Sequence, residues 1–183
     1  MWTVGAASSI WGQLTAVGST LFFAANDGTN GVELWKSDGT ELGTILVKDI
    51  NPGSAYSTPS DLLAIGSTLY FVATDAAGGR EVWKSDGTEG GTVPVADVVP
   101  GAAGSSPSRL LALGSNLVFF ANDGVHGLEP WISDGSEPGT HMVDDFNPGT
   151  GNGVDATLLP KVVGGVLYLA IDNGTSGFDP WVS

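Results

Sequence analysis

The chain of 183 residues contains no cysteine, which excludes disulfides, thiolate metal sites and cysteine nucleophiles. Basic residues are scarce as well. Six lysines and arginines stand against 20 aspartates and glutamates, so the net charge is −14. Because this charge repels phosphate groups, we predict no nucleic-acid partner and no binding to anionic membrane surfaces. The excess of carboxylates favours cations instead.

Long apolar runs and long glycine-free stretches are also missing. No apolar run approaches the roughly 20 residues of a membrane-spanning helix, so we predict no membrane insertion. The segment Met1-Trp2-Thr3-Val4 lacks the basic start and the apolar stretch of a secretory signal. The longest stretch without glycine, Ser54 to Ile65, contains Pro59. Interior glycine costs a helix about 1 kcal/mol and proline about 3 kcal/mol, so long helices are excluded. Since 42% of the residues are hydrophobic, the chain should still fold, and an all-β fold remains.

The sequence repeats itself with a period of about 48 residues. Comparison of residues 18–65 with residues 66–113 gives 29 identities in 48 positions. Such a period indicates a repeat architecture. We predict a single repeat domain with units at about 5–52, 53–100, 101–148 and 149–183, the last of which lacks its fourth strand. Each unit carries one tryptophan in a shared phrase, at Trp35, Trp83, Trp131 and Trp181.

Four strands are predicted in each complete unit. In the second unit they are Ser60–Ile65, Ser67–Thr74, Arg80–Ser85 and Thr92–Val98, bounded by glycine, aspartate and proline. The second strand is apolar on both of its faces, which is typical of a sheet covered on both sides. With no helices available, neighbouring sheets must provide the cover for each unit. Radial stacking of four-stranded sheets predicts a β-propeller.

Three prolines and three linkers refine this prediction. Pro94 lies in the fourth strand, which suits an outer edge, whereas Pro130 and Pro180 are interpreted as strand starts or local bulges. Segments rich in proline, glycine and serine should connect the outer edge of one sheet to the first strand of the next, at 51–60, 99–108 and 147–157.

The phrase Glu33-Leu34-Trp35-Lys36-Ser37-Asp38-Gly39-Thr40 resembles the signature of the ELWxxDGT-repeat family of bacterial proteins. The second copy departs by Val82, the third by Pro130 and Ser136, and the fourth stops after Asp179-Pro180-Trp181-Val182-Ser183. The resemblance covers nearly the whole chain. It implies a propeller-like, exported or surface-attached bacterial protein without an agreed activity.

Acidic loops between the second and third strands are candidate calcium sites, since calcium takes six to eight oxygen ligands. The alternative is an ordinary hairpin turn, because asparagine and aspartate side chains bind their own backbone. The turn is favoured, and the second unit offers too few ligands. The candidate calcium ligands are Asn26, Asp27, Asn30, Glu33, Asn122, Asp123, Glu129, Asp172, Asn173 and Asp179.

Each repeated tryptophan is preceded by an acidic residue on the same strand face, a pair that could stack on and bind a sugar ring. The alternative is that each indole fills the same gap between neighbouring sheets, and this packing role is favoured. The candidate carbohydrate-binding residues are Glu33, Trp35, Glu81, Trp83, Glu129, Trp131, Asp179 and Trp181.

Two further features of the repeat predict structure rather than chemistry. The segment that begins at Ser37 resembles an Asp-box, in which Asp38 caps a tight turn between the third and fourth strands. His126 and His141 occur in one unit only, and no catalytic set stands out, so no enzymatic activity is expected.

We therefore predict a non-enzymatic β-propeller interaction module that calcium could stabilise. The open ends of the repeat array predict a homo-oligomer that closes a ring. Two alternatives stay open: a lectin with one sugar per unit, and an engineered or excised repeat scaffold that only assembles with itself.

Overall fold

A computed structural model describes residues 10–155 and 159–183. The start of the predicted first unit, residues 5–9, and the end of the third predicted linker, residues 156–157, lie outside this range. Within the described ranges every regular element is a β-strand, which confirms the all-β prediction. None of these residues forms a helix that could cross a membrane.

Fifteen strands in the described part of the chain form four antiparallel sheets, each of which keeps the chain order of its strands. We number the sheets 1 to 4 along the chain. Sheet 1 contains β1 (Ile10–Val17), β2 (Thr20–Asn26), β3 (Val32–Ser37) and β4 (Ile45–Lys48). Sheet 2 contains β5 (Ser60–Ile65), β6 (Thr68–Asp75), β7 (Gly79–Ser85) and β8 (Val93–Pro94). Sheet 3 contains β9 (Ser108–Leu113), β10 (Asn116–Asn122), β11 (Leu128–Ser133) and β12 (His141–Met142). Sheet 4 has three strands, β13 (Lys161–Val163), β14 (Val166–Asp172) and β15 (Phe178–Val182).

Successive sheets stack face to face through the alternating side chains of their central strands. Phe22 and Leu34 of sheet 1 pack against Leu69 and Phe71 of sheet 2, and Trp83 belongs to the same cluster. Equivalent clusters join sheet 2 to sheet 3 and sheet 3 to sheet 4. The prediction that both faces of the second strand are covered is therefore confirmed for β6 and β10.

Sheet 4 departs from this pattern, because only one of its two faces is covered by another sheet. Leu167 and Leu169 of β14 are buried against sheet 3, but Tyr168 between them points to the opposite face and is exposed. No other sheet of the described residues lies on that face.

The outer strands are shorter than predicted. The expected fourth strand Thr92–Val98 reduces to Val93–Pro94, which pairs with Lys84 and Trp83 of β7. Pro94 lies on the edge strand of its sheet, as predicted. An edge position tolerates proline because the outward side needs no hydrogen-bond donor.

Pro130 lies inside β11, and its interpretation as a strand start or bulge is wrong. The register between β10 and β11 is unbroken, with Pro130 opposite Phe120. The Pro130 carbonyl accepts a 2.8 Å hydrogen bond from the Val143 amide, on the side of the short strand β12. Carbonyl and nitrogen of one strand residue point to the same neighbour, so the missing donor faces β12 and the β10 ladder loses nothing. Pro180 occupies the same position in β15, opposite Ala170, again without a register shift.

The linkers run from the last strand of one sheet to the first strand of the next, as predicted. The first strands of successive sheets contact one another, β1 with β5, β5 with β9, and β9 with β13. The pairing of β1, β5 and β9 with the following strand is interrupted by an irregularity at equivalent places. The four sheets thus meet along their first strands, while the fourth strands of sheets 1 to 3 lie on the far edges.

Candidate functional site

The candidate sugar and calcium sites share one repeated position, the acidic residue near the start of the third strand of each sheet. Glu33, Glu81 and Glu129 are all buried there. Asp179 holds the equivalent position in sheet 4 and is exposed. Burial of a carboxylate is unfavourable unless hydrogen-bond donors surround it, so the partners of these three groups identify their role.

The three buried carboxylates bind the linker that leads to the next sheet. Glu33 accepts hydrogen bonds from the amides of Ile50 and Ser57, at 3.0 Å each, and from the Ser57 hydroxyl. Glu81 accepts from the Ser105 amide at 2.7 Å and from the Ser105 hydroxyl. We call Glu33, Glu81 and Glu129, together with the linker groups they bind, the acidic anchors.

The third acidic anchor lacks a hydroxyl. Glu129 accepts from the amides of Phe146, at 3.3 Å, and Gly153, at 2.6 Å. Gly153 stands where the other units have Ser57 and Ser105, each 24 residues after its glutamate. The anchor therefore holds its linker through backbone groups even where the serine is absent.

Burial sets the protonation of these groups. Desolvation raises the pKa of Glu33 and Glu81, and the bonds from Ser57 and Ser105 oppose that shift. Desolvation raises the pKa of Glu129 to about 7, and the nearby charge of Asp145 pushes it in the same direction. At neutral pH the third anchor is therefore divided between its charged and neutral forms.

The acidic anchors leave their glutamates no free carboxylate for a sugar or for the calcium loops. The indoles beside them are covered too, since Trp35 is 8% exposed and Trp83 is 4% exposed. Trp83 packs between sheets 1 and 2 and Trp131 packs in the cluster between sheets 2 and 3, which is the packing role favoured from the sequence. In sheet 4, Trp181 lies edge-on to Phe146 with ring centroids 5.5 Å apart.

The loops proposed for calcium fold as side-chain-capped turns. Asp27 accepts from the amides of Thr29 and Asn30 at 2.8 Å, and the Asn30 side chain donates to its second oxygen. Asn26 caps the amide of Gly28. These bonds lower the pKa of Asp27 against the opposing effect of desolvation, the largest single contribution. The turn alternative accounts for these contacts.

The loops of the third and fourth sheets follow the same design. Asp123 accepts from the amides of Val125 and His126 and binds the His126 ring at 2.6 Å, which raises the pKa of that histidine. Three further candidate ligands also cap backbone amides: Asn122 that of Gly124, Asp172 that of Gly174, and Asn173 those of Thr175 and Ser176. Asp179 instead accepts a 2.9 Å hydrogen bond from the Ser176 hydroxyl.

No group of three or more histidine, aspartate or glutamate side chains within residues 10–155 and 159–183 is arranged to hold a metal ion. Two carboxylates near the acidic anchors are nonetheless incompletely bonded. The buried Oδ1 atoms of Asp49 and Asp145 find no hydrogen-bond partner in this part of the chain. Asp49 uses its other oxygen to accept from the Gly53 amide at 3.1 Å.

The Asp-box prediction describes the turn after the third strand well. Asp38 accepts from the Thr40 amide at 2.9 Å and from the Thr40 hydroxyl at 2.7 Å. Asp86 and Asp134 form the same bonds with Thr88 and Ser136. These hydrogen bonds lower the pKa of each aspartate. The aspartate therefore uses its carboxylate within the turn, which it stabilises.

The acidic anchors are the feature that sequence reasoning missed. A signal for them exists, because a serine follows the glutamate by 24 residues in the first two units. The sequence alone does not show that this serine contacts the glutamate, because the contact depends on the path of the linker past the start of β3 and β7. Gly79, with a φ of +72°, marks that path in sheet 2, since a Cβ there would collide with the backbone of Gly104.

No protein-family model and no curated protein matches the chain. A solved structure from an analysis of two prolyl endopeptidases, concerned with inter-domain dynamics in catalysis and specificity, is similar to it with a TM-score of 0.54. Sequence identity is 14%, over 96% of this chain and 26% of that chain. The chain thus spans about a quarter of the length of this structural neighbour, and the likeness concerns the fold alone.

We predict that Ser105→Ala destabilises the protein by about 1.5 to 3 kcal/mol, because a buried carboxylate loses a hydrogen-bond donor. Urea unfolding at pH 7 measures the change. The exposed Ser67 provides the matched control, and Ser67→Ala should shift the free energy of unfolding by less than about 0.5 kcal/mol. Equal values for the two variants would show that the hydroxyl of the second anchor contributes nothing.

The acidic anchors also predict the pH dependence of stability. A carboxyl whose pKa is higher in the folded state stabilises the fold below its unfolded pKa, and this contribution is lost as the pH rises through the folded value. For Glu129 the window runs from 4.5 to about 7. We expect the protein to be less stable at pH 8 than at pH 5, and Glu129→Gln to reduce this difference by the order of 2 kcal/mol. Unfolding of both proteins at the two pH values measures it, and an unchanged difference in Glu129→Gln would contradict it.

Proposed function

We propose that the chain is a non-enzymatic interaction module built as a β-propeller or a segment of one. The acidic anchors are the observation that carries this proposal. A buried glutamate recurs at the equivalent positions Glu33, Glu81 and Glu129, and in each case its carboxylate binds the linker to the next sheet. Repetition of one intramolecular role is typical of a scaffold, whereas a catalytic centre assembled from several units would set one unit apart from the others.

The arrangement of the sheets supports the propeller part of the proposal. Sheets of three or four strands stack face to face and meet along β1, β5, β9 and β13. Their fourth strands lie at the opposite edges, and β8 and β12 are only two residues long. Radial stacking of small sheets about their first strands is the design of a propeller.

The resemblance to the ELWxxDGT repeats supports an exported or surface location in a bacterium. The net charge of −14 suits an extracellular module that avoids nucleic acids and anionic lipids. Carbohydrate binding is a second candidate for the fourth unit alone, where Asp179 is exposed and Trp181 is only partly buried. A lectin of this kind would take one sugar per chain.

Calcium remains part of the proposal as a stabilising ion. It is supported by the unpartnered oxygens of Asp49 and Asp145, each of which immediately precedes a residue whose amide binds an acidic anchor. Oxygen ligands of this kind are those that calcium prefers. The turns at Asp27 and Asp123 would contribute little, because their carboxylates already cap backbone amides.

The non-enzymatic part of the proposal is tested with the substrates of the structural neighbour, a prolyl endopeptidase. We expect the purified chain to show no turnover of prolyl peptide substrates or of a broad panel of hydrolase substrates. A prolyl endopeptidase assayed in parallel is the positive control. Turnover that follows the protein through purification and disappears on heat unfolding would overturn the non-enzymatic assignment.

We expect millimolar calcium to raise the melting temperature relative to EDTA, since a ligand that binds only the folded state adds RT ln(1 + [L]/Kd) to stability. Magnesium at equal ionic strength is the control for screening of the acidic surface. The double variant Asp49→Asn, Asp145→Asn should lose the calcium-specific part of the shift. The absence of any shift in the unaltered protein would remove calcium from the proposal.

A further inference from the structure

Sheet 2 contains a cavity of about 210 Å³ beside the loop between β6 and β7. Its lining includes Trp83 of the third strand, Asp97 of the segment after β8, and Asp75 and Gly78 of the loop. Since a water occupies about 30 Å³ in the liquid, the volume corresponds to about seven waters. We call this space the sheet 2 cavity.

The tryptophan and the aspartate of this cavity recur as a pair in sheets 1 to 3. The aspartate follows the tryptophan by 14 residues each time, as Trp35 with Asp49, Trp83 with Asp97, and Trp131 with Asp145. In sheets 1 and 3 the indole Nε1 and the aspartate Oδ1 are buried, and neither atom finds a hydrogen-bond partner within residues 10–155 and 159–183. Trp35 is only 8% exposed, so its N–H is a buried donor that the fold leaves unused. A buried polar group in this state requires a partner from outside the fold.

The chemistry of the pair selects that partner. An indole N–H is only a donor, and an ionised carboxylate is only an acceptor. A metal ion or an ammonium group would satisfy the carboxylate but has no acceptor for the indole. A hydroxyl group satisfies both, because its oxygen accepts from the indole and its proton is donated to the carboxylate.

Side chains of the loop between the second and third strands lie beside the pair in sheets 1 and 3. Asn30 and His126 hold equivalent positions of the repeat, and they bond to Asp27 and Asp123 of their own loops. The hydrogen bond to Asp123 chiefly raises the pKa of His126, and the charges of Asp145 and Glu129 add to this shift. The His126 ring therefore lies near the aspartate of its pair.

In sheet 2 the same loop position is Gly78, which has no side chain to lie there. The Cβ position of Gly78 is 3.9 Å from the carboxylate of Asp97. A longer side chain at this position would therefore extend over Asp97 and into the sheet 2 cavity. The glycine makes sheet 2 the unit in which a ligand larger than water can reach the pair.

We propose that the sheet 2 cavity binds a short neutral polyol of the size of glycerol or erythritol. One hydroxyl of the ligand bridges the Trp83 indole and the Asp97 carboxylate, and a second donates to Asp75. The carboxylates of the lining repel anions such as phosphate, so the ligand is uncharged. This ligand lies inside a cavity, whereas the sugar considered for sheet 4 would lie on an exposed surface.

The indole N–H resonances of the 15N-labelled protein report this binding directly. Glycerol and erythritol should each shift the Trp83 resonance to saturation, while the resonances of Trp35 and Trp131 stay in place as internal references. Propan-1-ol, which has the chain of glycerol but a single hydroxyl, should bind about tenfold more weakly, since it lacks the hydrogen bond to a charged group. A Trp83 resonance that does not saturate with either polyol, or an equal affinity for propan-1-ol, would overturn the proposal. A response to methylammonium in place of the polyols would assign the cavity to a cation and reject it as well.

Gly78→Asn introduces the side chain that sheet 1 has at Asn30, so it should abolish the response of Trp83 to polyols. The substitution fits the backbone, because the nearest atoms to the Cβ position are at ordinary contact distances of 3.6 to 3.9 Å. Gly90→Asn is the matched control, at an exposed turn where nothing in the described chain lies within 4 Å of the Cβ position, and it should bind as the unaltered protein does. Unchanged binding in Gly78→Asn would contradict the proposed site.

The reverse substitution, Asn30→Gly, should open the pair of sheet 1 to the same ligands. The Trp35 resonance should then respond to glycerol in addition to that of Trp83, and a silent Trp35 would contradict the role given to this loop position. All titrations contain EDTA, which keeps calcium away from Asp49. Their outcome is therefore independent of the calcium and hydrolase tests, and the polyol site can fail while the interaction module stands.

Discussion

The constraint on which the structure depends is the apolar character of both faces of each central strand. β6 presents Leu69, Phe71 and Ala73 to sheet 1, and Tyr70 and Val72 to sheet 3. A small sheet of this kind has no polar face to turn to water, so its free energy favours contact with a neighbour on each side. The stacking, the meeting of the first strands and the exposure of the short fourth strands all follow from it.

The acidic anchors add a polar constraint to this apolar one. Removal of a carboxylate from water is unfavourable, and the linker amides around Glu33, Glu81 and Glu129 offset that loss. Because each linker leads to the next sheet, the anchor couples the stability of neighbouring units. Repeat proteins commonly derive their stability from contacts between adjacent units. Here those contacts include a buried ionisable group, which makes the coupling sensitive to protonation.

Much of the fold could be predicted from the sequence, because its signals are local. The alternation of apolar residues and the glycines between them placed β5 correctly and β6 and β7 to within one residue. The predicted length of β8 and the interpretation of Pro130 were wrong, because both depend on how the outer strand pairs with the third strand, which the local pattern does not define. The role of Glu81 was also out of reach, since its partner Ser105 lies 24 residues away on a path that the local pattern does not define.

The acidic anchors also have a direction. Every carboxylate reaches forward along the chain, from the third strand of one unit to the segment that opens the following one. A unit inserted into the series brings the acceptor for its successor and the donors for its predecessor. Gene duplication or deletion by whole units therefore leaves every interior carboxylate with its hydrogen-bond donors. The number of units can change without a compensating substitution at the contacts between them.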